Sequence, residues 1–476
     1  SVSAGTDRAW FRVTNQFNRA DGFNVAPVGS EDDPYRINQL SLRAGAMLLP
    51  GLSLDFSVRN IRKTASRDAF DGPVGSLATA FDDASTFTTN LWASGAQLRW
   101  DMLGGALTHL VKASRVTNEL VDQDVTSFFR SVNQAEADKL GYVLTYRFAT
   151  GGPLAVRHVV SGLVERDEQS FVPLSDFADG IEKSRKQVAY AAEYQADIAD
   201  RLALNGNIRR DDNDSFVDFT TWRVSAALKL PEVGMRPHAS LGTGVRLPSM
   251  FEQYGFFGTF RPNPDAQPEE SFGWDAGIEF SALAGRAILD VTYFDIDIEN
   301  KITENDTFTG IINLPGTARR QGVEVSGRWL VSTALSLGAS YTYLEATDPD
   351  GDQEPRRPEH AARFDIDYRF MDGRARINVA TIYNGEMADR GLRVTGRAGT
   401  FPIFAAEPLM LDDYWLVSVA GSYAVAPGVE LYGRVENALD QKYEEQEGYN
   451  TPGIAAYVGV RLTYEEPSTK DWVKYK

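Results

Sequence analysis

Connections of two lengths alternate along this chain, and their phase restricts the fold more than any single motif does. Short turns fall at 50–51, 101–105, 150–153, 199–200, 231–235, 282–285, 331–334, 371–374 and 424–428. Between them lie long polar segments at 21–36, 63–87, 118–135, 167–183, 248–268, 347–359, 387–411 and 438–453, with two short exceptions near 213–216 and 302–308. The pieces in between alternate apolar with polar residues, the pattern of a strand with one apolar face. In 334–346, Leu335, Leu337, Ala339, Tyr341 and Tyr343 oppose Ser336, Gly338, Ser340 and Thr342. In 412–425, Trp415, Val417, Val419 and Tyr423 oppose Leu416, Ser418, Ala420 and Ser422. In 454–464, Ala456, Val458, Val460, Leu462 and Tyr464 oppose Ala455, Tyr457, Gly459, Arg461 and Thr463.

The pattern predicts about twenty strands of roughly 10–15 residues. Soluble strands are mostly about 5–6 residues long, while a tilted membrane strand needs about 9–11. An up-and-down barrel with tight turns at one end and long loops at the other keeps short and long connections in phase; a Greek-key sandwich does not. The expectation is an all-β, transmembrane antiparallel barrel of about 20–22 strands over 1–464, with 465–476 as a C-terminal extension. Its apolar faces look into lipid, and Tyr457, Arg461 and Thr463 look into the lumen. Trp10, Trp100 and Trp329 stand near strand ends on the short-turn side, the place of an aromatic belt. There is no run of about 18 apolar residues and so no membrane helix, which leaves a barrel untouched.

A net charge of −18 argues against a nucleic-acid partner. The four histidines, His109, His158, His238 and His360, have no ligand spacing and read as isolated wall or loop residues. Asp348, Asp350 and Asp352 around Gly351 form a weak calcium candidate without the distal glutamate of an EF-hand. No nucleophile–base or paired-carboxylate arrangement stands out, so neither an enzyme nor a cofactor is expected. The aromatic stretch Tyr254, Phe256, Phe257 and Phe260 with Arg261 offers an apolar surface and an anion contact for a small-molecule substrate. Residues 401–411 supply a second apolar outer loop.

Three stretches carry a more specific likeness. Residues 242–280 hold Arg246, Pro248, Asn263, Pro264, Asp265, Pro268 and Glu269; 316–329 hold Gly322, Val323 and Glu324; 434–464 hold Asn437, Asp440 and Tyr443 ahead of a last strand. These resemble TonB-dependent outer-membrane receptors: an Arg-x-Pro strand end with a downstream Asn-Pro…Pro-Glu, a Gly-Val-Glu strand, and an Asn-…-Asp-…-Tyr closing segment. Residues 209–228 are similar to part of the cobalamin transporter. The resemblance implies a bacterial outer membrane, a barrel of 22 strands around a plug, and TonB-driven import of a scarce nutrient such as cobalamin or a ferric siderophore. A non-transporting or passive barrel subunit is the alternative. The family's plug and first strand have no counterpart in this chain, and residues 1–5 read as the tail of another strand. The chain's own N-terminal part, or a separate plug-bearing chain, is expected to fill that gap.

Overall fold

A computed structural model describes residues 1–125, 129–152, 154–175, 178, 180–255, 260–399 and 401–464. The extension 465–476 lies outside these residues. One antiparallel sheet of 21 strands dominates the described chain. In order it is built from Val2–Gly5, Ala9–Ala20, Tyr35–Leu49, Leu52–Asp71, Thr79–Met102, Leu107–Asp124, Phe129–Thr150, Val156–Leu174, Lys183–Ile198, Leu202–Asn213, Phe219–Leu228, Met235–Arg246, Glu269–Ala282, Ala287–Glu299, Thr317–Leu330, Leu335–Thr347, His360–Phe370, Ala375–Asn384, Tyr414–Ala426, Val429–Glu436 and Ala455–Leu462. Each pairs with the strand before it, which is the expected up-and-down order. Two hairpins stand outside this sheet: Ile302–Glu304 with Ile311–Asn313, and Met387–Ala398 with Phe401–Leu411.

Register separates the two faces of the wall. Phe11, Ala44 and Phe56 form one outward row, and Val13, Leu42 and Val58 the next. Trp92 and Trp100 lie on this same outward face and are about half exposed. They bracket Ser94, Ala96 and Leu98, so eight residue steps separate two aromatic levels, about 26 Å along the strand and about 20 Å of height at a tilt of about 40°, which spans most of an apolar band of about 25 Å. Trp329 is in register with Ala287 and Leu337, also outward. Trp10 departs from the expected belt. Its row is Gly45, Asp55 and Gln97, which is the lumenal face, and its indole lies over Gly45, where any side chain would collide with it.

Three histidines are outward wall residues in aromatic surroundings. His109 Nδ1 meets the Tyr142 hydroxyl at 2.7 Å, His158 Nδ1 meets Tyr194 at 2.8 Å, and His360 Nδ1 meets Tyr341 at 2.8 Å. Pairing one nitrogen of each ring with a hydroxyl satisfies a polar group that otherwise would meet lipid alone. The lumenal face is polar and largely self-paired: Arg157 with Asp197 at 2.9 Å, Arg236 with Glu279 at 2.9 Å, Arg363 with Asp365 at 2.6 Å.

The long polar segments correct the loop expectation. Strands Leu52–Asp71, Thr79–Met102, Phe129–Thr150 and Val156–Leu174 have 20, 24, 22 and 19 residues, so much of 63–87 and 118–135, and 167–174 of the segment 167–183, is ladder rather than loop. Beyond the membrane neither face is lipid-exposed, so alternation fades while the backbone pairing continues. Polar cross-strand pairs replace it, such as Thr64 with Thr88 at 3.2 Å and Asn60 with Asn90 at 3.0 Å. The segment 387–411, also expected as a loop, is the second hairpin.

Burial is concentrated at the long-loop end. Ala26, Ala78, Ala80, Val394, Leu411 and Tyr414 are all buried there. The sheet does not close among the described residues. Ala455–Leu462 pairs only with Val429–Glu436, and Val2–Gly5 covers only residues 10–13 of its neighbour.

Candidate binding site at the long-loop end

The aromatic stretch begins on a one-turn helix, Met250–Tyr254, with a capping box: Ser249 accepts from Glu252 N and Glu252 accepts from Ser249 N. Burial by itself would raise the Glu252 carboxyl; the Ser249 hydrogen bonds and Arg246 beside it, at 2.6 Å, hold it below its ordinary value. Tyr254 is half-buried, with Lys183 Nζ 6.0 Å from its ring centre. Phe260 is 8% exposed and packs in a cluster with Ile302, Ile311 and Phe251. Arg261 is exposed, and its backbone N–H donates to Thr309 O at 2.7 Å. Phe256 and Phe257 lie outside the described residues. The described part of the stretch thus divides into an apolar anchor, Phe260, and surface-facing groups, Tyr254 and Arg261.

The motif residues around it knit strand ends to the first hairpin. Glu269 accepts from Ile302 N at 2.6 Å and lies 3.5 Å from Arg246. Asn263 donates from Nδ2 to Ile311 O at 3.1 Å, Pro264 O accepts from Gln253 at 3.3 Å, and Pro248 O accepts from Arg185 at 2.7 Å. Pro268 is buried beside them. In the Gly-Val-Glu strand, Gly322 has no room for a side chain against the Tyr343 carbonyl. Glu324 faces the lumen between Thr292 and Thr342. Asn437 and Asp440 both hold positive φ, of 45° and 51°. Asn437 is buried and bonds to Gln441 N and O, each at 2.9 Å, and Asp440 accepts from Ile454 N at 2.9 Å, so the two shape the last loop. Tyr443 packs its ring 4.7 Å from that of Tyr414.

The calcium candidate is not assembled. Asp348 Oδ1 accepts from both Asp350 N and Asp352 N at 3.0 Å, so it caps its own turn. Among the described residues no three acidic or histidine side chains gather as metal ligands.

Reading the sequence alone missed the polar lattice that joins the loops. Glu354, 1% exposed, accepts from Lys301 at 2.6 Å, Arg320 at 2.9 Å and Arg357 at 2.7 Å. Burial alone would raise its carboxyl, but the Lys301 hydrogen bond and the arginine charges outweigh it and hold it low. The next link is Asp389, which accepts from Arg356 at 2.8 Å and from Glu447 N at 2.7 Å. Arg390 joins the two hairpins through Asp306 at 2.8 Å. The second hairpin continues the backbone of 75–78 through Gly75 N to Val394 O and Ala78 N to Leu392 O, both 2.7 Å. The last loop then crosses the open seam. Asn450 N donates to Val25 O at 2.8 Å, Asn450 Nδ2 donates to Ala26 O at 2.9 Å, and Tyr449 meets Phe70 edge-on at 4.9 Å. Loops from the end of the chain are therefore bound to loops from its start. Under this clasp lies an acidic group: Asp68 is pushed up to about 6 by burial and by Asp33, Asp82 and Glu31 around it.

The sequence profile of the family described as "TonB dependent receptor-like, beta-barrel" matches residues 2–438. The vitamin B12 transporter BtuB of Photobacterium profundum is 28% identical over 263 residues, which is 53% of this chain and 39% of that protein, so the match spans well under half of the transporter. The siderophore receptor PirA of Acinetobacter baumannii superposes with a TM-score of 0.74 at 13% identity, over 96% of this chain and 76% of that one. The ferripyoverdine receptor of Pseudomonas aeruginosa superposes with a TM-score of 0.72 at 14% identity, over 96% and 68%. At such identities the two structures speak for the fold alone. With the profile covering most of its length, the chain belongs to the TonB-dependent receptor-like β-barrel family.

Proposed function

We propose that this outer-membrane barrel forms the wall and loops of an energy-coupled importer for a scarce nutrient. The observation that carries the reading is the pairing of a 21-strand wall with the receptor-family match. Side chains fill only barrels of about eight strands, so a wall this wide needs a separate occupant or stands open as a channel. The occupant is a plug, contributed by the protein's own N-terminal part or by a second chain. Substrate binds the loops and the plug apex, and TonB, powered from the inner membrane, moves the plug. Binding outside and TonB engagement inside are then linked, as any two coupled sites must be.

Cobalamin or a ferric siderophore is the substrate class, and the 28% likeness to a vitamin B12 transporter favours cobalamin. Tyr254, Phe256, Phe257, Phe260 and Arg261 supply contacts: Phe260 anchors the stretch, and the aromatic and arginine groups around it provide the recognition energy, as such groups tend to. The test is binding and uptake of cobalamin and a panel of ferric siderophores by the full-length protein, wild type against Phe256→Ala/Phe257→Ala. One of these ligands is expected to bind tightly and to lose affinity in the variant. Equal affinity in both proteins limits the segment to packing, and no binding across the panel removes the substrate assignment.

A further inference from the structure

The lumenal wall of the first strands gathers cations that lack a countercharge. Arg12 and Arg43 are direct cross-strand partners, and both are exposed. Their row continues through Ser57 and Gly95, neither of which offers a countercharge. The row toward the short turns holds Trp10, Gly45, Asp55, Gln97 and Lys112; the row toward the loops holds Thr14, Ser41 and Arg59. Among the described residues Arg12, Arg43 and Lys112 have no hydrogen-bonded or ionic partner. Arg59 bonds to neutral Gln39 at 2.9 Å. Asp55, the one carboxylate in these rows, accepts from Gln97 at 3.3 Å. Elsewhere the lumenal arginines Arg157, Arg236 and Arg363 each face a carboxylate, and Arg328 stands alone between Ile288 and Gly338 with no second cation opposite it.

Like charges directly opposite on paired strands repel, so this arrangement is unfavourable unless something lies against it. Trp10, on the same face, is 43% exposed although it could have been turned to lipid by a shift of one position. Tryptophan and arginine together, open and unpaired, have the composition of an interface hot spot.

We infer that this wall docks an acidic polypeptide segment whose carboxylates bridge Arg12 and Arg43 while an apolar group covers Trp10. The inference rests on the plugged-barrel reading and says which part of the wall holds the plug. Charge complementarity fixes the rotation of the plug in the lumen and places its anchored side beside the strands that begin this chain.

Two measurements on the full-length protein test it. The chain contains no cysteine, so Arg43→Cys gives a single reactive thiol in this segment. Its reaction with a water-soluble maleimide is expected to be slow in the folded protein and fast once mild urea releases the plug. In planar bilayers Arg12→Glu/Arg43→Glu is expected to raise the open-channel fraction by about tenfold or more, because like-charge contacts then oppose docking. Arg12→Lys/Arg43→Lys, which keeps the charge, stays closed like wild type, and heat-modifiability on gels verifies that each barrel is folded. Fast labelling in the untreated protein, an unchanged open fraction on charge reversal, or equal opening of the lysine variant each overturns the inference. Protection that appears only when substrate is added assigns the patch to the transport path and overturns it as well. A wild-type protein that conducts freely refutes the plugged barrel itself, a result distinct from all of these.

Discussion

At the scale of single residues, two kinds of position matter, wall faces and buried loop carboxylates. Val417 and Val419 share the outward row with Trp415, and Ser418 faces the lumen. An arginine on the lipid face near mid-membrane costs about 2–4 kcal/mol, so Val419→Arg lowers folding stability by that amount in lipid vesicles while Ser418→Arg is nearly neutral. Equal tolerance of the two contradicts the face assignment. Glu354 is held by three cations, and Glu354→Gln leaves them without a counterion. Hydrogen bonds to charged groups contribute about 1.5–3 kcal/mol, and since Arg357 is partly solvated the lower half of that range is expected for local opening. Hydrogen exchange at 302–313 and 354–357 reads it, and unchanged protection there refutes the role of Glu354.

Asp68 and Asp122 carry the opposite sign. Each is pushed up to about 6, by burial first; Asp68 also feels Asp33, and for Asp122 the opposing Arg67 charge is insufficient. A carboxyl whose folded value is raised stabilises most when protonated. Its contribution is fully present below the ordinary value of 3.8 and is lost as the pH rises through about 6. After correction for intrinsic rates, amides of 21–34 and 79–85 are expected to be better protected near pH 5 than near pH 7, and Asp68→Asn flattens the difference. Protection that rises with pH contradicts it.

At the scale of elements, what the sequence reveals depends on which solvent the strand meets. Within the membrane, lipid on one side and a polar lumen on the other impose strict alternation, so the rows of Leu335–Thr347 and Tyr414–Ala426 are readable without coordinates. Above the membrane both faces are polar, and the outer halves of Leu52–Asp71 and Thr79–Met102 read as loops although their ladder continues to Asp71 and Thr79, interrupted only by a bulge at Arg67. Trp10 escapes a sequence reading because nearness to a turn says nothing about face; only its register with Gly45 does. The binding stretch is legible as composition, but not the packing of Phe260, whose partners Ile302 and Ile311 lie about forty to fifty residues downstream. The same separation hides the Glu354 lattice, since Lys301 and Glu354 are 53 positions apart. Orientation is the element-scale prediction. The long connections face the cell exterior, so on intact cells an impermeant thiol reagent labels Asp350→Cys and not Gly373→Cys, and the reverse pattern inverts the topology.

At the scale of the whole molecule, the seam and the lumen pose one problem. Each unpaired backbone group in hydrocarbon costs several kcal/mol, so the free edges of Ala455–Leu462 and Ala9–Ala20 are expected to be paired by further strand. Val458 and Leu462, 92% and 75% exposed along that edge, are the side chains such a strand would cover. The loop clasp at Asn450 already holds the two edges together at one end. Mass spectrometry of the folded protein is expected to find additional polypeptide, either continuous with this chain or copurified. A closed barrel made of residues 1–476 alone overturns that.

A barrel filled by a plug admits substrate only when the plug is pulled, whereas an open barrel admits it by diffusion. The most direct measurement is uptake of the bound nutrient by intact cells before and after a protonophore collapses the inner-membrane gradient. Uptake that stops while surface binding persists is the predicted result. Uptake that continues at the same rate contradicts energy-coupled import and leaves a passive barrel.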